Sequence, residues 1–213
     1  MNLILFGPPG AGKGTQAGSL CAEFGMVQVA TGDIFRRNLK QNTDLGQLAR
    51  SFMDEGQLVP DEVVWKLVED RLGDEDVQSG VLFDGFPRTV KQSELLVAWA
   101  ESSGWKLAGV VALEVPDEQL VRRLSGRRTC LDCGSTYHVD HNPPAVEGTC
   151  DRCAGKVVQR SDDTEATVKA RLATYHQQTA PVLEFFDSKG LVSRVDGVGG
   201  IDGVAGRIRT ALG

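Results

Sequence analysis

Five short apolar runs punctuate the chain: Asn2–Phe6 (NLILF), Met26–Ala30 (MVQVA), Val81–Asp84 (VLFD), Gly109–Val115 (GVVALEV) and Leu191–Asp196 (LVSRVD). Near-continuous apolar runs of this length predict strands buried on both faces. Between them the apolar positions recur at helical spacing. In Lys13–Phe24, for example, Ala17, Leu20, Cys21 and Phe24 share one face. The same periodicity predicts helices over Asp61–Leu72, Val90–Ser103, Asp117–Ser125, Thr164–Asp187 and Ile201–Leu212. Strands alternating with helices predict an α/β chain, a parallel sheet covered by helices on both faces. Two stretches break the alternation. Thr31–Val59 is helical and polar with no strand of its own, and Gly126–Asp163 is rich in Cys, Gly, Pro and Asp; both read as insertions into the core.

Length and composition narrow this picture. A chain of 213 residues, 41% hydrophobic, suits one core with small inserted lobes better than two independent domains. A formal net charge of −6 argues against general nucleic-acid or membrane binding, which needs an extended basic face. Any anion site must therefore be a local cluster of arginines. With neither a signal-peptide pattern at the start nor an apolar run of bilayer length, the chain is expected to be soluble and cytoplasmic.

The stretch GPPGAGKGT, Gly7–Thr15, joins the first strand to the first helix. Glycines let the backbone turn consecutive N–H groups toward an anion, the helix adds its positive end, and Lys13 supplies a point charge. The pattern is the phosphate-binding G-x-x-x-x-G-K loop, except that Gly14 stands where a hydroxyl usually follows the lysine; the hydroxyl is delayed to Thr15. A magnesium ion would then depend more on water and phosphate oxygens than on the loop.

VLFDGFPRT puts Asp84 at the carboxyl end of a strand, where it can hold magnesium-bound water, followed by Gly85, Phe86, Pro87 and Arg88. Arg88 can fork onto a phosphate. Gln92, one helical turn on, carries the donor and acceptor that reading an adenine edge requires. In ATGDIFRRN, Thr31 is placed as a helix cap and Arg36 lies on the first turns. Arg123, Arg127, Arg160 and Arg171 concentrate around the second insertion of an otherwise acidic chain.

Cys130-x₂-Cys133 and Cys150-x₂-Cys153, sixteen residues apart, have the spacing of a tetrahedral zinc site. Two disulfides or a four-thiolate iron site are the alternatives, the first disfavoured in a reducing compartment. A lobe with so few apolar residues predicts a structural metal. His138 and His141 are near enough in sequence to be substitute ligands; Cys21 reads as core.

GPPGAGKGT, TGDIFR, GQLVPDE, DGFPRT, GRRTC and RSDDTEATVKARLATYHQQTAPV follow one another over nearly the whole chain in a way that resembles the adenylate kinase family, in its long form with a bacterial zinc-bearing lid. The resemblance implies a P-loop NTPase-like three-layer sandwich with a central parallel sheet. Residues 1–30, 60–125 and 164–213 would form the core, 31–59 a nucleoside-monophosphate-binding insertion and 126–163 the lid. It implies transfer from MgATP to AMP giving two ADP, and suggests Gly10, Ala11, Gly12, Lys13, Gly14, Thr15, Arg127, Thr136, Tyr137 and Gly199 for ATP. Thr31, Arg36, Gln57, Leu58, Val59, Gly85, Phe86, Pro87, Arg88 and Gln92 would hold AMP. Lys13, Asp84, Arg123, Arg160 and Arg171 would serve catalysis, Arg160 and Arg171 also touching AMP, with Asp162 and Asp163 steadying arginines. A monomer is the default. A different class, a P-loop switch whose four-cysteine lobe binds nucleic acid, is disfavoured by that lobe's acidity. GTP as donor, or UMP or CMP as acceptor, stays open.

Overall fold

The computed structural model describes all 213 residues, Met1 to Gly213. The chain begins β1 (Asn2–Phe6), α1 (Lys13–Phe24), β2 (Val27–Ala30), α2 (Thr31–Lys40), α3 (Asp44–Asp54), α4 (Asp61–Leu72), β3 (Val81–Asp84) and α5 (Val90–Ser102). It continues β4 (Gly109–Glu114), α6 (Asp117–Ser125), β5 (Arg127–Cys130), β6 (Thr136–His138) and β7 (Val157–Val158). It ends α7 (Glu165–Thr174), α8 (Pro181–Asp187), β8 (Val192–Asp196) and α9 (Ile201–Leu212).

The core sheet has the order β2-β3-β1-β4-β8 with every pair parallel. Alternation along β1 sends Ile4 and Phe6 into one apolar cluster and Leu3 and Leu5 into another. On the first face Val64, Val68 and Leu72 of α4, Leu96 of α5 and Phe186 of α8 cover the strands; on the second, Leu20 of α1, Leu124 of α6, Leu172 of α7 and Ile208 of α9 do so. Each fully buried Leu or Phe contributes roughly 1.5–3 kcal/mol. The strands thus need apolar side chains on both faces, which is why they read as continuous runs. No helix is long and apolar enough to cross a membrane.

Four strand and helix ends differ from the expected ones by a single residue: β2 and β8 begin at Val27 and Val192, β4 ends at Glu114 and α5 at Ser102. A larger correction concerns Thr164–Asp187, which is not one helix. The ladder widens to a π turn over Tyr175–Thr179, with the Ala180 N–H donating to Tyr175 O at 2.8 Å, before α8 starts at Pro181. Pro181 has no N–H to continue the regular ladder. The detour brings Thr174, Tyr175 and Thr179 to the wall of the central cleft.

The first insertion folds as α2 and α3, the latter capped by Thr43. The second holds a small antiparallel sheet, β6-β5-β7, with Arg128 opposite Tyr137 and Thr129 opposite Val158. Its strands span two to four residues, too short to show an alternation in sequence. The insertions meet at the rim of the cleft, where Lys40 Nζ donates to Leu131 O at 3.0 Å and Ser161 Oγ donates to Asp54 Oδ1 at 3.0 Å.

Candidate active site

Parallel pairing brings the carboxyl ends of the strands to one edge, where they open into a cleft of about 1210 Å³. Gly10, with φ of +85°, lets the loop after β1 lie against α6: a side-chain carbon there would stand 2.9 Å from Leu124 Cγ. Gly12 precedes α1 with no side-chain cap, and no acid occupies the first turn. The leading amides of α1 are therefore left without side-chain partners, as an anion site requires. At Gly14, a side-chain carbon would stand 3.5 Å from Asp84 Oδ2, so the residue after the lysine packs beside the carboxylate.

Lys13 Nζ donates to Gly7 O at 2.6 Å and Pro8 O at 2.9 Å. The side chain as a whole is only half-buried, yet its ammonium lies deep enough among protein atoms for desolvation to pull it down to about 8, against the opposing charge of Asp84. Arg88, Arg171 and Arg127 push in the same direction as burial. A phosphate arriving at Nζ favours the charged form. Above about 8 the free lysine is mostly neutral, so nucleotide binding at alkaline pH should take up close to one proton, and binding well below that value none. Calorimetry in buffers of different ionisation enthalpy reads this directly; no uptake at alkaline pH would remove the phosphate from Lys13.

β2 and β3 are in register at Ala30 and Asp84, which sets Gln28 on the same edge. Gln28 Nε2 donates to Asp84 Oδ2 at 3.1 Å. Sequence reasoning passed over Gln28; its signal was a polar residue inside the apolar run MVQVA. Thr31 is not a helix cap, since Ala30 holds that position; its Oγ1 instead donates to Gly85 O at 2.8 Å. Arg88 Nε donates to the same carbonyl at 2.8 Å, so one oxygen steadies both side chains. Burial, with Arg171 and Arg36 adding to it, pushes Arg88 down to about 10, still cationic at neutral pH. Arg36 is held by Asp33 at 2.5 Å.

Across the cleft, Asp163 is fully buried and accepts two bonds from Arg127, at 2.6 and 2.8 Å, and one from Arg171 at 3.2 Å. Asp162 pairs with Arg171 at 2.9 Å. Burial by itself would raise the Asp162 carboxyl, but Arg171 and Arg127 outweigh it and hold it below the usual range. Arg160 has no carboxylate; its Nε donates to Thr129 Oγ1 at 2.9 Å, and burial together with Arg36 and Arg127 lowers it to about 9. Arg123 Nη2 donates to Gly197 O at 3.2 Å.

Every residue suggested for nucleotide binding or catalysis lines this one cleft, Gln57–Val59, Phe86, Pro87, Thr136 and Gly199 included. Eight cationic side chains face three carboxylates there, Asp33, Asp84 and Asp162. Such an excess, in a chain of net charge −6, calls for polyanionic ligands. Tyr137 reaches the cleft too, but its hydroxyl accepts from Asp151 N at 2.9 Å and lies 3.3 Å from Cys150 Sγ. The hydroxyl is thus committed within the second insertion, beside the four cysteines.

The Sγ atoms of Cys130, Cys133, Cys150 and Cys153 lie within 4.8 Å of one another. Two of the separations, Cys130 to Cys153 and Cys133 to Cys150, are 3.5 Å. No disulfide joins any of the four, which stand as free thiols. A tetrahedral zinc with bonds of about 2.3 Å separates its sulfurs by about 3.8 Å, so the four sit as that ion needs them. The Tyr137 hydroxyl, the largest influence, brings the Cys150 thiol down to about 6, while the Cys153 thiol, against the lowering by the Gly155 backbone, is pushed up to about 12 by the hydrogen bonds from Cys133 and Cys130, so without an ion the four thiols do not ionise together. The histidines are not substitutes: His138 and His141 stack apart with centroids 4.6 Å from each other, and His138 Nδ1 accepts from Asp140 N at 3.1 Å.

Fold and cleft together define a P-loop nucleotide-binding protein in which the loop shares one cleft with a group of half-buried arginines. A model of the family described as adenylate kinase matches residues 5–191. Over 212 residues the chain is 49% identical to the adenylate kinase of Acidothermus cellulolyticus, covering 100% of this chain and 98% of that protein. It is 50% identical over 212 residues to that of Carboxydothermus hydrogenoformans, at 100% and 99% coverage. Against that of Lachnospira eligens it is 47% identical over 213 residues, at 100% of both. The chain belongs to the adenylate kinase family.

Proposed function

We propose that this adenylate kinase binds MgATP on the loop after β1 and AMP on the side of α2 and β3, and transfers the terminal phosphoryl group between them to give two ADP. A phosphate oxygen of AMP forms the new bond to the γ-phosphorus while the bond to the β,γ-bridging oxygen breaks, its electron pair leaving with ADP. The acceptor is already ionised at neutral pH, so no protein base is required. The transition state is loose, with charge spread over the equatorial oxygens, and catalysis is alignment and charge stabilisation.

In this reading Lys13 follows the transferring group, Arg123, Arg160 and Arg171 surround it, and Asp84 would hold, through water, the magnesium that accompanies ATP and neutralises phosphate charge. Gly10–Thr15, Arg127, Thr136, the backbone of Tyr137 and Gly199 receive ATP. Thr31, Arg36, Gln57–Val59, Gly85–Arg88 and Gln92 receive AMP. Residues 1–30, 60–125 and 164–213 act as the core, 31–59 as the acceptor lobe and 126–163 as the lid, with zinc on Cys130, Cys133, Cys150 and Cys153 as a structural ion. Closure of an adenylate kinase lid is an established case of a motion that excludes water, the competing acceptor. We take ATP, AMP and ADP as the partners, to the exclusion of nucleic acid and membrane, and a cytoplasmic monomer as the working form.

The observation that carries the reading is the convergence of Lys13 with Arg36, Arg88, Arg123, Arg160 and Arg171 in one cleft. Initial rates of ADP formation from MgATP with AMP, beside GMP, UMP and CMP, and with GTP as donor, test it. Turnover mainly with ATP and AMP is expected; no transfer to any monophosphate by a folded, zinc-loaded sample would overturn it. Arg88→Ala should raise KM for AMP by about tenfold to a hundredfold, the worth of a charge-assisted hydrogen bond. KM for ATP should stay within about twofold, because Arg88 lies on the acceptor side. Equal increases for both nucleotides would undo that division of the cleft.

A further inference from the structure

Asp61, the first residue of α4, has no part in the assignments above. Its Oδ1 accepts Nε2 of Gln92 at 2.8 Å and Oγ1 of Thr89 at 3.0 Å. The Arg88 backbone N–H donates to Gln92 Oε1 at 2.8 Å, and the Gln92 N–H donates to Thr89 Oγ1 at 3.1 Å. Gln92, 1% exposed, is enclosed by this network at the wall of the cleft.

We propose that Asp61 is a positioning residue that fixes the orientation of the Gln92 amide, and thereby makes the acceptor pocket select a 6-amino purine over a 6-oxo purine. This rests on the reading of Gln92 as the contact to the acceptor base. A peptide N–H only donates and a carboxylate only accepts. The amide oxygen is therefore held toward Arg88 and the nitrogen toward Asp61. Turning the amide over would set oxygen against carboxylate and NH₂ against N–H, losing both bonds inside a buried network where an unmet polar group is costly.

Each amide atom keeps one further hydrogen bond, a lone pair on Oε1 and a hydrogen on Nε2. Adenine presents an exocyclic N–H₂ donor beside a ring-nitrogen acceptor, which an oxygen and a nitrogen held in this order complement. A 6-oxo purine brings an acceptor where the amino group was. An amide free to turn would accommodate it; the one held by Asp61 opposes oxygen to oxygen. An acid at the start of α4 also suits the helix dipole. Glu62 beside it would serve that purpose equally, whereas only Asp61 pairs with Gln92.

The test compares kcat/KM for AMP and GMP in Asp61→Leu, Asp61→Ala and Asp61→Asn, with KM for ATP and the thermal midpoint alongside. Loss of the acceptor in Asp61→Leu or Asp61→Ala should lower the AMP-to-GMP ratio by about tenfold or more, since selection by a hydrogen-bonding site collapses when the site loses its order. KM for ATP should not move. Asp61→Asn keeps an acceptor oxygen and should retain most of the ratio. An unchanged ratio in whichever of the apolar variants folds, or an equal loss for both nucleotides, overturns the proposal. Gln92→Leu separates the two levels: if it collapses the ratio while the Asp61 variants do not, only the role of Asp61 falls. If Gln92→Leu leaves KM for AMP and the ratio unchanged, the reading of Gln92 falls and this inference with it.

Discussion

Lys13→Met should lower kcat by about 10²–10³-fold, the cost of removing one preorganised donor from a developing negative charge. The fold should survive. Lys13 Nζ is bonded only to Gly7 O and Pro8 O, and no salt bridge depends on it. Both carbonyls belong to buried residues, but Pro8 O keeps a second partner in the Ala11 N–H at 3.2 Å. Methionine keeps the length of the aliphatic stem, so the packing of the loop on α6 is preserved. The thermal midpoint is accordingly expected within a few degrees of the parent, and could rise, because a desolvated charge has been removed. Single-turnover rates checked beside circular dichroism decide the matter. Turnover within a few-fold of the parent would take Lys13 out of the phosphate site.

Removing metal from the four-cysteine site should uncouple the lid from the rest of the molecule. The only apolar cluster of the second insertion is Cys130, Tyr137, Cys150 and Val157, and two of these four are themselves the ligands. Burying Tyr137 and Val157 contributes a few kcal/mol at about 1.5–3 each. Ordering a segment of this length costs about 1–2 kcal/mol per residue in backbone entropy alone. Burial therefore falls far short, and bonds from the four thiolates to a metal would close the difference. Chelation, or Cys150→Ser, should lower the thermal midpoint by at least about 5 °C, as a loss of roughly 2 kcal/mol does in a domain of this size. Protease should then cut within the lid before the core. A metal-free protein with its full midpoint and an intact lid would show that zinc is not structural.

These effects differ in kind because the sites do. The P-loop is a backbone device: its amides are placed by glycines and by the start of α1, and those features are visible as spacing. The four cysteines are legible for the same reason, since a tetrahedral ion demands a pair of close turns. The contact of Thr31 was less open to reading. Thr31 occupies a position where a hydroxyl commonly caps a helix, yet it bonds Gly85, 54 residues away. Gln28 shows only as a polar residue in an apolar run and Asp61 only as an acid at a helix start; what each bonds is decided beside Asp84 and Gln92. The break at Tyr175–Thr179 was signalled by Pro181, but whether a proline kinks a helix or ends it depends on what the freed carbonyls meet.

By itself the sequence determined the alternation of strands and helices, the two insertions, the glycine-rich loop and the grouping of the four cysteines. Each of these rests on interactions between residues near in the chain or on a periodicity that one buried face imposes. Only the tertiary structure decided which arginine is paired and which is free. Arg127 and Arg171 share the buried carboxylate of Asp163, while Arg160 faces the cleft with a threonine as its partner. That choice follows from the small sheet β6-β5-β7, whose β5–β7 pairing sets Arg127 and Thr129 beside the segment that carries Arg160 and Asp163. Electrostatic energy depends on distance and burial in space, and neither is written in the spacing of charges along a chain.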